Sequence, residues 1–425
     1  MVEHQISSIA LAVCVFGMSV YEIRRYDNLI TPFTVAALPI AFISCLVNFI
    51  FIYWDINPVT IRVNFFLLLC FFLIWVVGFL FSYFYPKQRF KNYNNLFKPY
   101  ERYKNVLIII ALIISIVMFW RVVTLVSANG GWWYLGSQDF EDTIIRGFVA
   151  YLVTFGEAVF ILLYLVSKGS KNKILSYFTL LILGIAIFML MVKYNLIWLI
   201  LMIFFINNLT KDKKIQVRKI LKITLILFLV FVLYFLFLTL FWRTFSFANK
   251  LVWEYFYKQI LNYFLSGTIL LDSWLNTPST KPDWVLLSVF YNFYYVITGN
   301  PNRIDVIPFL NNGFETVGQG IYSNVGTGFG VYYLIGGIPF TILMTILFAS
   351  VSYSIYIKAI KSPNLIILFL MWFILSINTL YYFGQYFTTI TFYILPAFFF
   401  VLIFIFRLFN KTIFRQNVTQ NMADH

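Results

Sequence analysis

Histidine is nearly missing from this chain. There are two in 425 residues, His4 and His425, both at the extreme ends. A histidine general base in the body of the protein is therefore excluded. Cysteine is scarce too: Cys14, Cys45 and Cys70 all fall in apolar runs, which argues against a structural disulfide and leaves no metal-ligand spacing. Asp, Glu, Lys and Arg make up only 11% of the residues, against about a quarter in soluble domains. Heptads, internal repeats and low-complexity tails are also missing, which excludes coiled coils and solenoids.

Hydrophobic residues fill the space, at 61% of the chain. Runs of about twenty apolar residues follow one another, each long enough to cross a bilayer. The expectation is an all-α polytopic membrane protein of about eleven spans, near 6–21, 30–53, 63–83, 105–126, 145–166, 174–191, 194–209, 219–242, 335–357, 364–382 and 388–407. No small-residue cleavage pattern follows the first, so it is expected to be retained. The formal charge of +15 invites a nucleic-acid partner. That reading is rejected, because the cations sit in short loops between spans, as topology signals do.

Twenty-two of the 31 Lys and Arg residues lie on alternate connections, from Arg24 and Arg25 through the Lys98–Lys104 and Lys211–Lys222 loops to Lys358, Lys361 and Arg407. By the positive-inside rule those connections face the cytoplasm. The amino terminus is then outside and the carboxyl terminus inside. Nine cations remain on the outer side: Arg62, Arg121, Arg146, Lys193, Arg243, Lys250, Lys258, Lys281 and Arg303. The rule does not ask for them there.

The longest interruption of the apolar pattern, residues 243–334, falls on the same side. It divides the chain into an amino-terminal bundle of eight spans (1–242), a large outer loop (243–334) and a carboxyl-terminal bundle of three spans with a tail (335–425). Long irregular connections are functional or disordered, and this one is too aromatic for disorder. Two short apolar pieces within it, 251–271 and 284–297, read as amphipathic helices at the interface or as a re-entrant pair. Six glycines from Gly313 to Gly330 suggest loop backbone.

Several residues carry candidate chemistry. Arg121 sits just inside the outer end of its span, where it either snorkels to the interface or binds an anion in an outward cavity. Arg146 opens the fifth span and Glu157 lies within it, on the same face but about 16 Å further along. Glu157 reads as the most deeply placed acid, either functional or paired to a neighbouring helix. Lys193 marks an outward hairpin, and Arg243 follows the eighth span as an interface anchor or an anion ligand. Arg303 and Asp305 stand together, with Glu315 ten residues on. Arginine suits bidentate phosphate binding, and either acid would serve as a general base or as a loop salt bridge. Trp132 and Trp133 in the 127–144 loop are belt residues or platforms for sugar rings.

The architecture resembles the Wzy-type O-antigen polymerases, the oligosaccharide repeat-unit polymerases, along nearly the whole chain. SNVGTGFGVYYLIGG at 323–337 looks like that family's Asn-Val-x-Thr stretch leading into a glycine-rich span, with Asn324 and Thr327 on the matching positions. NTLYYFGQYFTT at 378–389 looks like its aromatic turn. The chain departs from the family at Lys193, where relatives place an arginine, and before Gly336 and Gly337, where the acid is lacking.

The resemblance implies a metal-independent membrane glycosyltransferase without a cofactor, at the outer face of a bacterial inner membrane. Its substrate would be an undecaprenyl-diphosphate-linked oligosaccharide, from an O-antigen or a capsule pathway. A chain-length regulator and a flippase are candidate partners. On that reading Arg121, Arg146, Arg243, Arg303 and Lys193 hold the diphosphate. Glu315, Asp305 or Glu157 is the base, and Tyr322, Asn324, Trp132 and Trp133 meet the glycan. O-antigen ligases share the architecture but carry a histidine in the large loop, which this chain lacks. A lipid-linked oligosaccharide flippase is the transporter alternative, and a scaffold the non-enzymatic one.

Overall fold

A computed structural model of the chain describes residues 2–85, 93–144, 148–169, 173–190, 193–209, scattered positions from 218 to 236, 250–276, 288–298, 315–323, 326–384 and 390–423. The first helices are α1 (Val2–Tyr26), α2 (Pro32–Phe49), α3 (Ile61–Ser82) and α4 (Lys104–Ala128). A short α5 (Gln138–Ile144) precedes α6 (Phe148–Gly169), α7 (Ile174–Met189) and α8 (Lys193–Leu209). Then come α9 (Lys250–Asn276), α10 (Ser288–Thr298) and a hairpin of β1 (Glu315–Gly318) and β2 (Ile321–Ser323). The last three are α11 (Gly328–Lys361), α12 (Leu365–Leu380) and α13 (Ile390–Ala423).

Among the described residues seven stretches are long and apolar enough to cross a membrane; they fall in α1, α2, α3, α4, α6, α11 and α13. Shorter apolar helices form α7, α8 and α12. Their positions overlap those of the expected spans, with α7, α8 and α12 shorter than a full span; the eighth expected span, 219–242, lies largely outside the described residues. The helices are apolar on all sides. In α3, Phe65 and Phe72 are exposed while Val63, Leu67 and Phe71 are buried. A helix that is hydrophobic all round and also exposed belongs in lipid. The chain is an all-α, multi-pass membrane protein.

Local signals set the helix starts. Thr31 caps α2 in a reciprocal box with Thr34, and Pro32 takes the first turn, where its missing N–H is harmless. Thr60 and Asn364 cap α3 and α12 through their side chains.

Helices α1, α2 and α3 pack together, and α3 packs on α11; α4, α6 and α7 form a second group, with α13 against α6. Helix α12 touches α2, α8, α11 and α13 and so bridges the two groups. A polar network locks the first group. Asn48 Nδ2 donates to the Ser8 hydroxyl at 2.7 Å and to the Val59 carbonyl at 2.9 Å, and Asn48 Oδ1 accepts from the Val59 N–H at 2.8 Å. Asn64 accepts from Ser44 at 2.7 Å and donates to Ser7 at 2.8 Å.

The ends bearing the cationic connections come together. Tyr85 donates to the Tyr26 carbonyl at 2.9 Å, Tyr356 to the Ile30 carbonyl at 2.9 Å, and Tyr103 to the Phe406 carbonyl at 3.1 Å. Arg407 Nε donates to the Tyr100 hydroxyl at 3.2 Å.

Helix α9 lies at the opposite end. From Leu261 to Leu275 its apolar residues are buried against protein, including Leu265, Leu271 and Trp274. Its apolar residues from Leu261 onward pack against the ends of the spans, while Trp253 and Tyr257 in its first half are exposed. Helix α11 begins at Gly328, inside the stretch expected to be loop, and is capped by Thr327. The glycines there serve close packing. A Cβ on Gly326 or Gly330 would run into the Trp274 ring, and one on Gly328 into Tyr381.

Replacing Asn48 with Leu strands both backbone groups of Val59. Unfolding of the purified protein in detergent should become easier by about 2 kcal/mol, a few interhelical bonds of roughly 0.6 kcal/mol or more each.

Candidate functional site

Helices α4 and α6 run side by side and antiparallel. Gly156 brings them close: a Cβ there would lie 3.2 Å from Ile114 and 3.4 Å from Met118. Glu157 follows directly and is 1% exposed. Arg121 comes three residues after Met118, about 4.5 Å further along the α4 axis, toward the end of the bundle opposite the cationic loops. Buried within this pair, Glu157 Oε1 and Arg121 Nε each lack a hydrogen-bond partner. Neither atom is satisfied by the other.

Further unsatisfied atoms lie in neighbouring helices. Asn195 Oδ1 and Trp198 Nε1 on α8, and Trp372 Nε1 on α12, are buried without partners. Helix α8 packs on both α6 and α12. In the α1–α3 group Asn48 and Asn64 are engaged, while Ser19 Oγ, Glu22 Oε2 and Trp75 Nε1 are likewise buried without partners. Buried polar groups are almost always paired, so a run of exceptions calls for a ligand, water or catalytic role.

After α4, a turn at Trp132–Gly136 and helix α5 fold back over the end of the helix. Tyr134, Leu135, Phe140 and Ile144 are buried under them, while Trp132 stays 51% exposed.

The second built region is the layer around α9. Thr60 Oγ1 donates to Asp272 Oδ1 at 2.5 Å, Arg62 donates to Asn276 Oδ1 and to the Leu275 carbonyl, and Tyr333 donates to that carbonyl at 3.2 Å. Tyr382 donates to the Phe264 carbonyl at 3.0 Å, and Gly267 leaves room for its ring. The hairpin packs on α9 and on the 55–57 segment, through Asn57 N–H to the Val317 carbonyl and Gln319 N–H to the Asp55 carbonyl, both at 2.9 Å. At its tip Gly320 has φ +66° and faces the Lys258 ammonium, which also pairs with Glu254 at 2.9 Å. Glu315 pairs in register with the buried Ser323, and Thr316 with Tyr322, which is 55% exposed.

Residues 57–412 match the model of DUF6337, a family of unknown function. The chain belongs to that family. Comparison with curated proteins and with solved structures finds no match. The DUF6337 match takes in α4, α6, α9 and the hairpin, and leaves α1 and α2 outside.

The candidates thus fall in separate places. Arg121 and Glu157 are on facing helices, whereas Glu315 and Tyr322 belong to the hairpin on α9. Arg146, Arg243, Arg303, Asp305 and Asn324 lie outside the described residues, as do the side chains of Lys193 and Trp133. Two of the nine cations expected on the outer side have structural work: Arg62 ties down the end of α9, and Lys258 pairs along it. Among the described residues no group of three or more His, Cys, Asp and Glu side chains is placed to hold a metal.

Glu22 was not singled out from the sequence. It is 2% exposed, accepts from the Tyr353 hydroxyl through Oε1, and has a buried Oε2 with no partner. The only signal was a glutamate directly after the expected 6–21 span, masked by the Arg24–Arg25 pair that read as a topology mark.

Removing Arg62 as Arg62→Ala takes two charge-assisted bonds from the last turn of α9, about 1.5–3 kcal/mol each. Amide hydrogen exchange at residues 270–276 should speed up, with exchange in α1 unchanged.

Proposed function

We propose that this DUF6337 protein is a membrane glycosyltransferase that polymerises oligosaccharide units carried on undecaprenyl diphosphate, at the outer face of a bacterial inner membrane. The observation that carries this reading is the unsatisfied pair on α4 and α6. An arginine and a carboxylate on facing helices, with the buried Arg121 Nε and Glu157 Oε1 unpaired, suit a substrate that brings both an anion and a hydroxyl.

In the proposed reaction the acceptor hydroxyl attacks the anomeric carbon of the donor sugar. Glu157 takes the hydroxyl proton as the new glycosidic bond forms. The bond from that carbon to the diphosphate breaks, and Arg121 stabilises the charge that gathers on the departing lipid diphosphate. Arg146, Arg243, Arg303 and Lys193 are the further cations assigned to that diphosphate. Glu315 and Asp305 are the other acids, and Glu315 sits in the hairpin layer, where sugars rather than the reacting atoms would pass. Exposed Trp132 and Tyr322 offer ring faces to the glycan. The metal-independent character of the proposal follows from arginines taking the role that a divalent ion plays elsewhere.

Purified protein in vesicles with lipid-linked repeat units should give ladders of polymer, undiminished by EDTA. Glycan transferred to a different lipid would mean a ligase, and movement across the bilayer without new bonds a flippase. Arg121→Ala and Glu157→Gln should each lower turnover by two or more powers of ten, about 3 kcal/mol in the barrier, at normal protein level. Full activity in both variants removes the pair from the mechanism.

Orientation has its own test. With Cys14, Cys45 and Cys70 replaced by Ala, Thr316→Cys should react with an impermeant maleimide added outside intact cells, and Ser362→Cys only after lysis. Labelling of both from one side would overturn the topology.

A further inference from the structure

Helix α10 carries an apolar stripe that is largely exposed. Phe290, Phe293, Tyr294 and Ile297 recur at helical spacing and are 52%, 60%, 60% and 68% exposed. That spacing places them on one face. Ser288, at the start of the helix, is fully buried, so the helix is seated on the protein and turned outward with its greasy side.

Its seat identifies what covers the stripe. The Phe290 ring meets the Tyr393 ring edge-on, 4.9 Å between centroids. Tyr393 lies one turn into α13. Ile390, Ala397, Val401, Phe404 and Leu408 follow the exposed side of that helix at the same helical spacing. This is the face that α13, a spanning helix, turns toward lipid. The α10 stripe therefore continues a lipid-facing surface at the end where α13 enters the membrane. Phenylalanine and tyrosine at that level are the residues that settle where headgroups meet acyl chains. A face of this kind, on a helix too short to span, lies in the plane of the interface.

We infer that α10 is an interfacial helix whose Phe290–Phe293–Tyr294–Ile297 face binds the acyl chains of the leaflet at the α9 end of the bundle. The 284–297 segment is then neither a span nor half of a re-entrant pair. Its place at the membrane surface does not depend on which reaction the protein performs.

The test uses the full chain, with its three cysteines replaced by Ala, in phosphatidylcholine–phosphatidylglycerol vesicles. Nitroxide labels go on Phe293→Cys and Ile297→Cys, with Val401→Cys as the lipid-facing reference and Thr316→Cys as the aqueous one. Collisional relaxation should show oxygen access exceeding that of a nickel chelate several-fold at 293 and 297, as at 401, with the reverse at 316. Nickel access exceeding oxygen at both positions puts the stripe in water and overturns the inference. Low access to both reagents means that protein, a second copy or another chain, covers it, and overturns it equally. Tyr294→Cys replaces either variant should its elution on gel filtration depart from that of the unlabelled protein.

Discussion

Hydrocarbon offers no hydrogen bonds, so any polar group within a bilayer must be satisfied by the protein itself. The architecture answers to this constraint. Helices absorb the backbone groups, and the side chains that remain fall into two kinds. In α1–α3, Asn48 and Asn64 spend nearly all their donors and acceptors on serines and on the Val59 backbone. That is glue, of the sort that fixes which helices touch. Around α4, α6, α8 and α12, by contrast, Arg121, Glu157, Asn195, Trp198 and Trp372 each keep a buried atom unpaired. The first group is closed at Asn48 and Asn64 but also keeps buried atoms of Ser19, Glu22 and Trp75 unpaired.

The end opposite the cationic loops is organised by α9. Its side chains and terminal carbonyls reach Thr60, Arg62, Tyr333 and Tyr382, which belong to the ends of α3, α11 and α12. Trp274 fills the hollow that Gly326 and Gly330 leave. A buried indole of this size is a large apolar payload, and it works only because the glycines lack a Cβ. The glycine-rich stretch and the tryptophan are thus two halves of one contact. The hairpin is a dependent of the same helix, pinned on its other side by the 55–57 backbone.

Much of this was legible in the sequence. Spans announce themselves by length and composition, and the caps at Thr31, Thr60 and Asn364 are the residue types a helix start prefers. The alternation of cationic loops anticipated which ends meet. What stayed hidden was long-range. Nothing local says that Asp272 meets Thr60, or that Arg62 holds the end of a helix more than two hundred residues away. Hence Arg62 and Lys258 stood among the unexplained outer cations until their partners were seen. Glu22 was hidden for the opposite reason: its neighbours Arg24 and Arg25 made the helix end look solvated, yet the glutamate turns inward to Tyr353. The apolar pattern of 251–271 was read rightly as amphipathic, but a pattern does not say whether lipid or protein takes the apolar side.

The helix break in α11 joins these threads. Gly336 and Gly337 leave helical geometry, with φ of −152° and +66°, and Pro339 follows. Glycine tolerates the left-handed value at 337, and proline removes a backbone donor two residues on. The piece before the break, Gly328–Ile335, is almost wholly buried. Irregular backbone at membrane depth persists only where protein surrounds it or a cavity needs it. The break turns this capped half-helix beneath Trp274 and Tyr381, at the foot of the α9 layer. Residues 326–337 therefore link the α9 layer to the spans. Their tyrosines and glycines are packing residues first. Any role in chemistry must pass through how they hold α9, the hairpin and the helix ends in register.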